Sequence, residues 1–143
     1  EQGLQGLPVQ MNPIVEGCSP NYWLSAMLID ADAMCRQTRS ETEALYLPEH
    51  GKSCPTEILE TISGINAEGR PIWRPMSCQP MYRMHGFIGR NGNLRAQTNA
   101  YIAGGTKPVG WDIFDRGACL PSDNKMTEEQ QERIIQVIRA CFE

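Results

Sequence analysis

Four groups of residues in this chain could do chemistry: three lysines, two histidines, six cysteines and one run rich in arginine, tryptophan and proline. A lysine acting through a Schiff base needs a desolvated amine in a prepared pocket. Lys52, Lys107 and Lys125 each lie in a polar segment flanked by Gly, Pro or Asp, so all three are expected at the surface. His50 and His85 have no carboxylate partner at useful spacing, and no GxSxG, HExxH, P-loop or GxGxxG pattern occurs. Cys18, Cys35, Cys54, Cys78, Cys119 and Cys141 form no CxxC pair, and two histidines are too few to complete a zinc site convincingly. They are expected to be buried free thiols, with disulfides the next reading and a metal site the last.

The fourth group is Glu68 to Tyr82, EGRPIWRPMSCQPMY. Two arginines offer cationic forks, Trp73 an aromatic plate, and three prolines a stiff extended backbone, which together suit the wall of a site for an anionic or ring-shaped ligand. The plainer reading, favoured by composition alone, is an edge strand whose Trp73 packs in the core and whose arginines are solvated.

The elements that must position this run follow from the pattern around it. Residues 1–14 hold two glycines and two prolines without a period and read as a link. YWLSAMLID, Tyr22 to Asp30, reads as a buried strand between Ser19-Pro20 and the acidic residues that follow. Ala31 to Ser53 reads as a surface excursion with a helical hint around Glu41 to Leu47. Pro55 at a first helical position, followed by Ile58, Leu59, Ile62 and Ile65, predicts an amphipathic helix ending between Gly64 and Gly69. Pro71, Pro75 and Pro80 donate no ladder hydrogen bonds, so the run is a broken or edge strand. Arg83 to Lys107 contains a Gly/Asn/Arg-rich loop, too long for a routine connector. A short helix is expected over Val109 to Arg116, with Gly117 closing it in the left-handed conformation, then a short strand over Ala118 to Pro121. Thr127 and Gln130 form a capping box that opens the last helix. The sum is an α+β fold, a small and mostly antiparallel sheet with helices packed on one side.

At 143 residues the chain has room for a core without staples. Its 13 basic and 17 acidic residues give a net charge of -4, and no dense basic stretch suits a row of phosphates, so nucleic acid is not an expected partner. No apolar run approaches the roughly 20 residues of a membrane span, and no signal pattern opens the chain. It is expected to be cytoplasmic.

The run at Glu68 to Tyr82, together with YWLSAMLID and the later DIFDRGACLPSDNKMTEEQQERIIQVI, resembles the C-terminal domain of the DegT/DnrJ/EryC1/StrS family over roughly Pro20 to Phe142. These are fold-type I, pyridoxal-phosphate-dependent sugar aminotransferases. The resemblance implies that residues 1–19 link to an N-terminal domain and that residues 20–143 are the small domain. The finer likeness is to enzymes that aminate the 4-keto group of UDP-linked 4-keto-6-deoxy-N-acetylhexosamines. The family's large domain carries the Schiff-base lysine and most cofactor contacts, and its Ser-x-x-Lys motif has no counterpart here, so the resemblance implies no catalytic residue in this chain and no activity for it alone. It places Arg70, Trp73, Arg74, Pro75, Met76, Ser77 and Gln79 at the substrate cleft, Arg74 facing a phosphate or carboxylate and Trp73 a ring. Ser77 stands where the family often has histidine, and a hydroxyl cannot carry that charge near neutral pH. The implied partners are the N-terminal pyridoxal-phosphate domain, a nucleotide sugar and a second copy in a homodimer. A stand-alone nucleotide-sugar-binding or interaction module is the alternative, and a small cysteine enzyme built on Cys78 a weaker third.

Overall fold

A computed structural model describes residues 1–40, 42–82, 85–89, 92–93 and 108–143. In chain order its elements are β1 (Val9–Met11), β2 (Ser25–Ile29), β3 (Arg36–Arg39), β4 (Ala44–Leu47), α1 (Pro55–Ser63), β5 (Arg70–Pro71), β6 (Ile88–Gly89), β7 (Gly92–Asn93), α2 (Val109–Arg116), β8 (Gly117–Leu120) and α3 (Glu128–Ala140). They divide into two units, one of Glu1–Ile72 with Arg116–Glu143, the other of Trp73–Asp115.

The first unit is α+β. Its sheet has the order β1-β2-β8-β5 with every neighbouring pair antiparallel, and Met27 sits opposite both Met11 and Ala118. Residues opposite one another point to the same face, so Val9, Met11, Met27, Ile29 and Leu120 share one side. On that side they join Ile58 and Ile62 of α1 and Ile134 and Ile138 of α3 in one core. Both helices bury a stripe at helical spacing against the sheet, as the periodicity of their isoleucines predicts.

Each helix starts on a local signal. Cys54 caps α1, its sulfur accepting from the Glu57 amide at 3.5 Å, with Pro55 in the first turn. Thr127 accepts from the Gln130 amide at 3.2 Å while the Gln130 side chain accepts from the Thr127 amide at 2.9 Å. Thr127→Ala removes one half of this box and is expected to cost about 1 kcal/mol, read as a lower midpoint in urea with an unchanged slope.

The structure corrects the sequence reading in four places. Residues 2–11 are not a bare connector: β1 pairs with β2, Leu4 is buried, and Arg139 donates to the carbonyls of Gly3 and Gln5, each at 3.1 Å. The apolar spacing of Leu4, Leu7, Val9 and Met11 outweighs the nearby Gly and Pro. The strand predicted over Tyr22 to Asp30 is shorter, because Tyr22 adopts a φ of 52° and leaves the extended path, with Trp23 exposed beside it. The excursion at 31–53 is a hairpin, Arg36 opposite Leu47 and Thr38 opposite Leu45, where a helical turn was expected; Glu41 lies outside the described residues. Gly117 is not a left-handed cap but the first residue of β8, opposite Leu28.

In the second unit, α2 packs Trp111 against Phe114 with ring centroids 5.9 Å apart. Met76–Cys78 and Pro80–Tyr82 form single 3-10 turns, and β6 pairs with β7. Most of the loop expected over Arg83 to Lys107 lies outside the described residues. Among the described residues no helix is long and apolar enough to cross a membrane.

Candidate functional site

The run at Glu68 to Tyr82 begins as a sheet edge and then leaves it. Arg70 and Pro71 form β5, opposite Cys119 and Ala118, and Gly69 makes this possible by its lack of a side chain. A Cβ there would stand 2.6 Å from Ile62 Cδ1, 2.7 Å from Leu59 Cδ2 and 3.1 Å from the Cys119 carbonyl oxygen. Glycine at 69 therefore lets the sheet edge close onto α1. Pro71 ends the pairing, having no N–H to give.

Arg70 lies in the first unit, exposed, its guanidinium 2.5 Å from the Glu68 carboxylate. A pair this open to water contributes little stability and leaves the arginine easily redirected to another anion.

Trp73, Arg74, Pro75, Met76, Ser77 and Gln79 fall together in the second unit. Trp73 is 61% and Met76 62% exposed, so Trp73 does not have the core role of the plainer reading. The Arg74 guanidinium carbon lies 5.7 Å from the centroid of the buried Phe114 ring, a cation-π arrangement that holds a half-buried side chain in place. The Gln79 amide donates to the Arg74 carbonyl at 3.2 Å, closing the backbone of the run into a loop. Ser77 Oγ lies 3.7 Å from Cys78 Sγ, and Pro75 fits against Gly110, where an added Cβ would come within 3.4 Å of the Pro75 ring.

The residues that sequence reasoning left out of this group are Phe114 and Gly110 of α2. The pair Trp111 and Phe114, three apart on a short helix, was the signal, since that spacing marks one helical face. Nothing in the sequence ties that face to Arg74.

No described lysine fits the attachment of pyridoxal phosphate. Lys52 pairs with Glu49 at 2.6 Å near the surface, Lys125 is exposed, and Lys107 lies outside the described residues. A Schiff-base lysine needs an amine shielded from water, and neither described lysine has that. Among the described residues no three of His, Cys, Asp and Glu are grouped to hold a metal ion.

No described cysteine is in a disulfide: Cys35, Cys54 and Cys119 are buried, Cys78 and Cys141 half-buried, and Cys18 exposed. Burial pushes the thiols of Cys35, Cys119 and Cys141 up, Cys35 to about 12. A thiol so raised is a poor nucleophile near neutral pH.

No protein-family model matches the chain. Over 88 residues, 62% of its length, it is 34% identical to the protein named "Putative pyridoxal phosphate-dependent aminotransferase EpsN" of Bacillus subtilis (strain 168). The matched stretch spans about a fifth of that relative, 19% of its length. The chain is therefore similar, over most of its own length, to a small part of a protein named as an aminotransferase.

Proposed function

We propose that this chain is the C-terminal small domain of a pyridoxal-phosphate-dependent aminotransferase that moves an amino group from an amino acid to a 4-keto sugar nucleotide. The observation that carries the reading is the 34% identity to EpsN across 62% of the chain. The unsuitability of Lys52 and Lys125 for a Schiff base supports placing the reacting lysine on another domain. Bound there, the cofactor supplies the electron sink for transamination. The present chain contributes to the substrate cleft through Trp73, Arg74, Pro75, Met76, Ser77 and Gln79 of the second unit, with Arg70 of the first unit a further candidate contact. Arg74, steadied by Phe114, binds a phosphate or carboxylate, and exposed Trp73 offers a flat face to a ring. The whole enzyme is a cytoplasmic homodimer in this reading, and the isolated chain is inactive.

Two measurements test it. In the longer enzyme Arg74→Ala should raise the KM for sugar nucleotide or amino donor roughly 10- to 100-fold, the worth of one charge-assisted contact; unchanged affinity for both removes that role. The isolated chain, mixed with pyridoxal phosphate and reduced with borohydride, should carry no stoichiometric adduct. A full adduct on Lys52, Lys107 or Lys125 would overturn the two-domain reading.

A further inference from the structure

The first unit holds a pair of thiols that the proposed aminotransferase role does not use. The Ser53 amide donates to the Ala33 carbonyl at 3.1 Å and the Cys35 amide to the Ser53 carbonyl at 2.9 Å, while Met34 and Ser53 form a parallel bridge. The next step along both strands brings Cys35 beside Cys54. The two residues are neighbours across that bridge, and both are buried, at 3% and 0% exposure. Neighbouring strands lie about 4.8 Å apart, inside the roughly 4.4–6.8 Å that a disulfide asks of its two Cα atoms. The sequence separation of the two cysteines hides this closeness, because the hairpin β3–β4 fills the interval and returns the chain to its starting point.

We propose that Cys35 and Cys54 form a dithiol–disulfide pair whose oxidation by hydrogen peroxide locks the hairpin β3–β4 to the start of α1. The chemistry takes two displacements. One thiolate attacks the peroxide, an S–O bond forms, the O–O bond breaks, and hydroxide leaves and is protonated to water. The other thiolate attacks the sulfenic sulfur, the S–S bond forms, the S–O bond breaks, and a second water leaves. Two thiols lose two electrons and two protons, and one peroxide becomes two waters.

Burial sets the timing. The neighbours of Cys35 are Cys54 and the carboxylate of Glu57, both of which oppose a negative charge there, and the site is closed to solvent. The thiolate therefore forms when the chain around 35–54 opens, so the pair reports local opening rather than mere presence of oxidant. Once formed, the bond closes a loop of about 20 residues and removes part of its freedom in the unfolded chain. Cys54 keeps its sulfur as the cap of α1 in either state, since the cap uses a lone pair and not the S–H.

The test is a peptide map of the full 143-residue chain carrying Cys18→Ser, which removes the exposed thiol. The reduced protein is treated with hydrogen peroxide, with and without sub-denaturing urea, and quenched in acid. The expected product joins Cys35 to Cys54 and is two hydrogens lighter, its formation speeds up with urea, and the oxidised chain unfolds at a higher midpoint that dithiothreitol reverses. Cys54→Ser should abolish the cross-link; if that variant does not fold, the map of the unsubstituted pair decides alone. Cys35 joined to Cys141 instead, or both thiols carried to sulfinic acid without a bond between them, overturns the proposal.

Discussion

Ile62→Ala should lower the stability of the chain by about 2–5 kcal/mol, read from its urea midpoint. Ile62 is fully buried on the core face of α1, and its carbonyl accepts from Ala67 at the point where the helix ends and the chain turns toward β5. Its Cδ1 atom occupies the space left open by Gly69. The substitution thus empties a volume between α1 and the sheet edge, and the walls, a helix and a paired strand, collapse only partly. Gly69→Ala should also destabilise, since its Cβ would meet Ile62, Leu59 and the Cys119 carbonyl. Joined in one chain, the two changes should cost less than their sum, because removing Ile62 relieves the closest clash; a coupling of about 0.5–3 kcal/mol is the signature of such contact. Strict additivity would show that Ile62 and Gly69 do not share this space.

What the sequence disclosed of the fold depended on how local its cause was. The capping box at Thr127 and the Pro55 start of α1 involve neighbours within one turn, so both helices were legible to within a residue or two. β1 was not legible because three residues carry no pattern of their own, and Val9 and Met11 become a strand by pairing with Ile29 and Met27. The hairpin failed for a related reason. Glu43, Ala44 and Leu45 are fair helix formers, and cross-strand pairing with Arg36–Arg39 overrides that preference. Tyr46 of β4 is half-buried, and burial first, then the charges of Glu60 and Glu57, push its phenol up.

The candidate site was readable in its backbone and less so in its side chains. Prolines that cannot donate predicted an edge, and Arg70–Pro71 forms one. Whether Trp73 lay in the core or in water could not follow from its neighbours in sequence, since both outcomes suit an extended ribbon. The seating of Arg74 on Phe114 joins residues forty apart, and only tertiary structure brings them together.

The second large effect lies at alkaline pH. The Cys35 thiol is pushed from its ordinary 9.0 up to about 12, first by burial and then by Cys54 and Glu57. Between those values the folded chain keeps a proton that the unfolded chain gives up, so unfolding releases it and is favoured as pH rises. Below pH 9 the contribution is whole. Through pH 9 to 12 it is lost, at about 1 kcal/mol per unit and a few kcal/mol in all. Cys119 and Cys141, raised by burial, and Tyr46 act in the same direction. Urea midpoints at pH 7, 9 and 10.5 should therefore fall with rising pH, and Cys35→Ala should flatten part of that fall whatever it costs at pH 7. An unchanged slope in the variant would mean that Cys35 ionises as freely in the folded chain as in the unfolded one. The same balance governs oxidation of the pair: a buried thiol that ionises by opening should react faster across the very window in which the fold weakens, so the oxidation rate should rise as the urea midpoint falls.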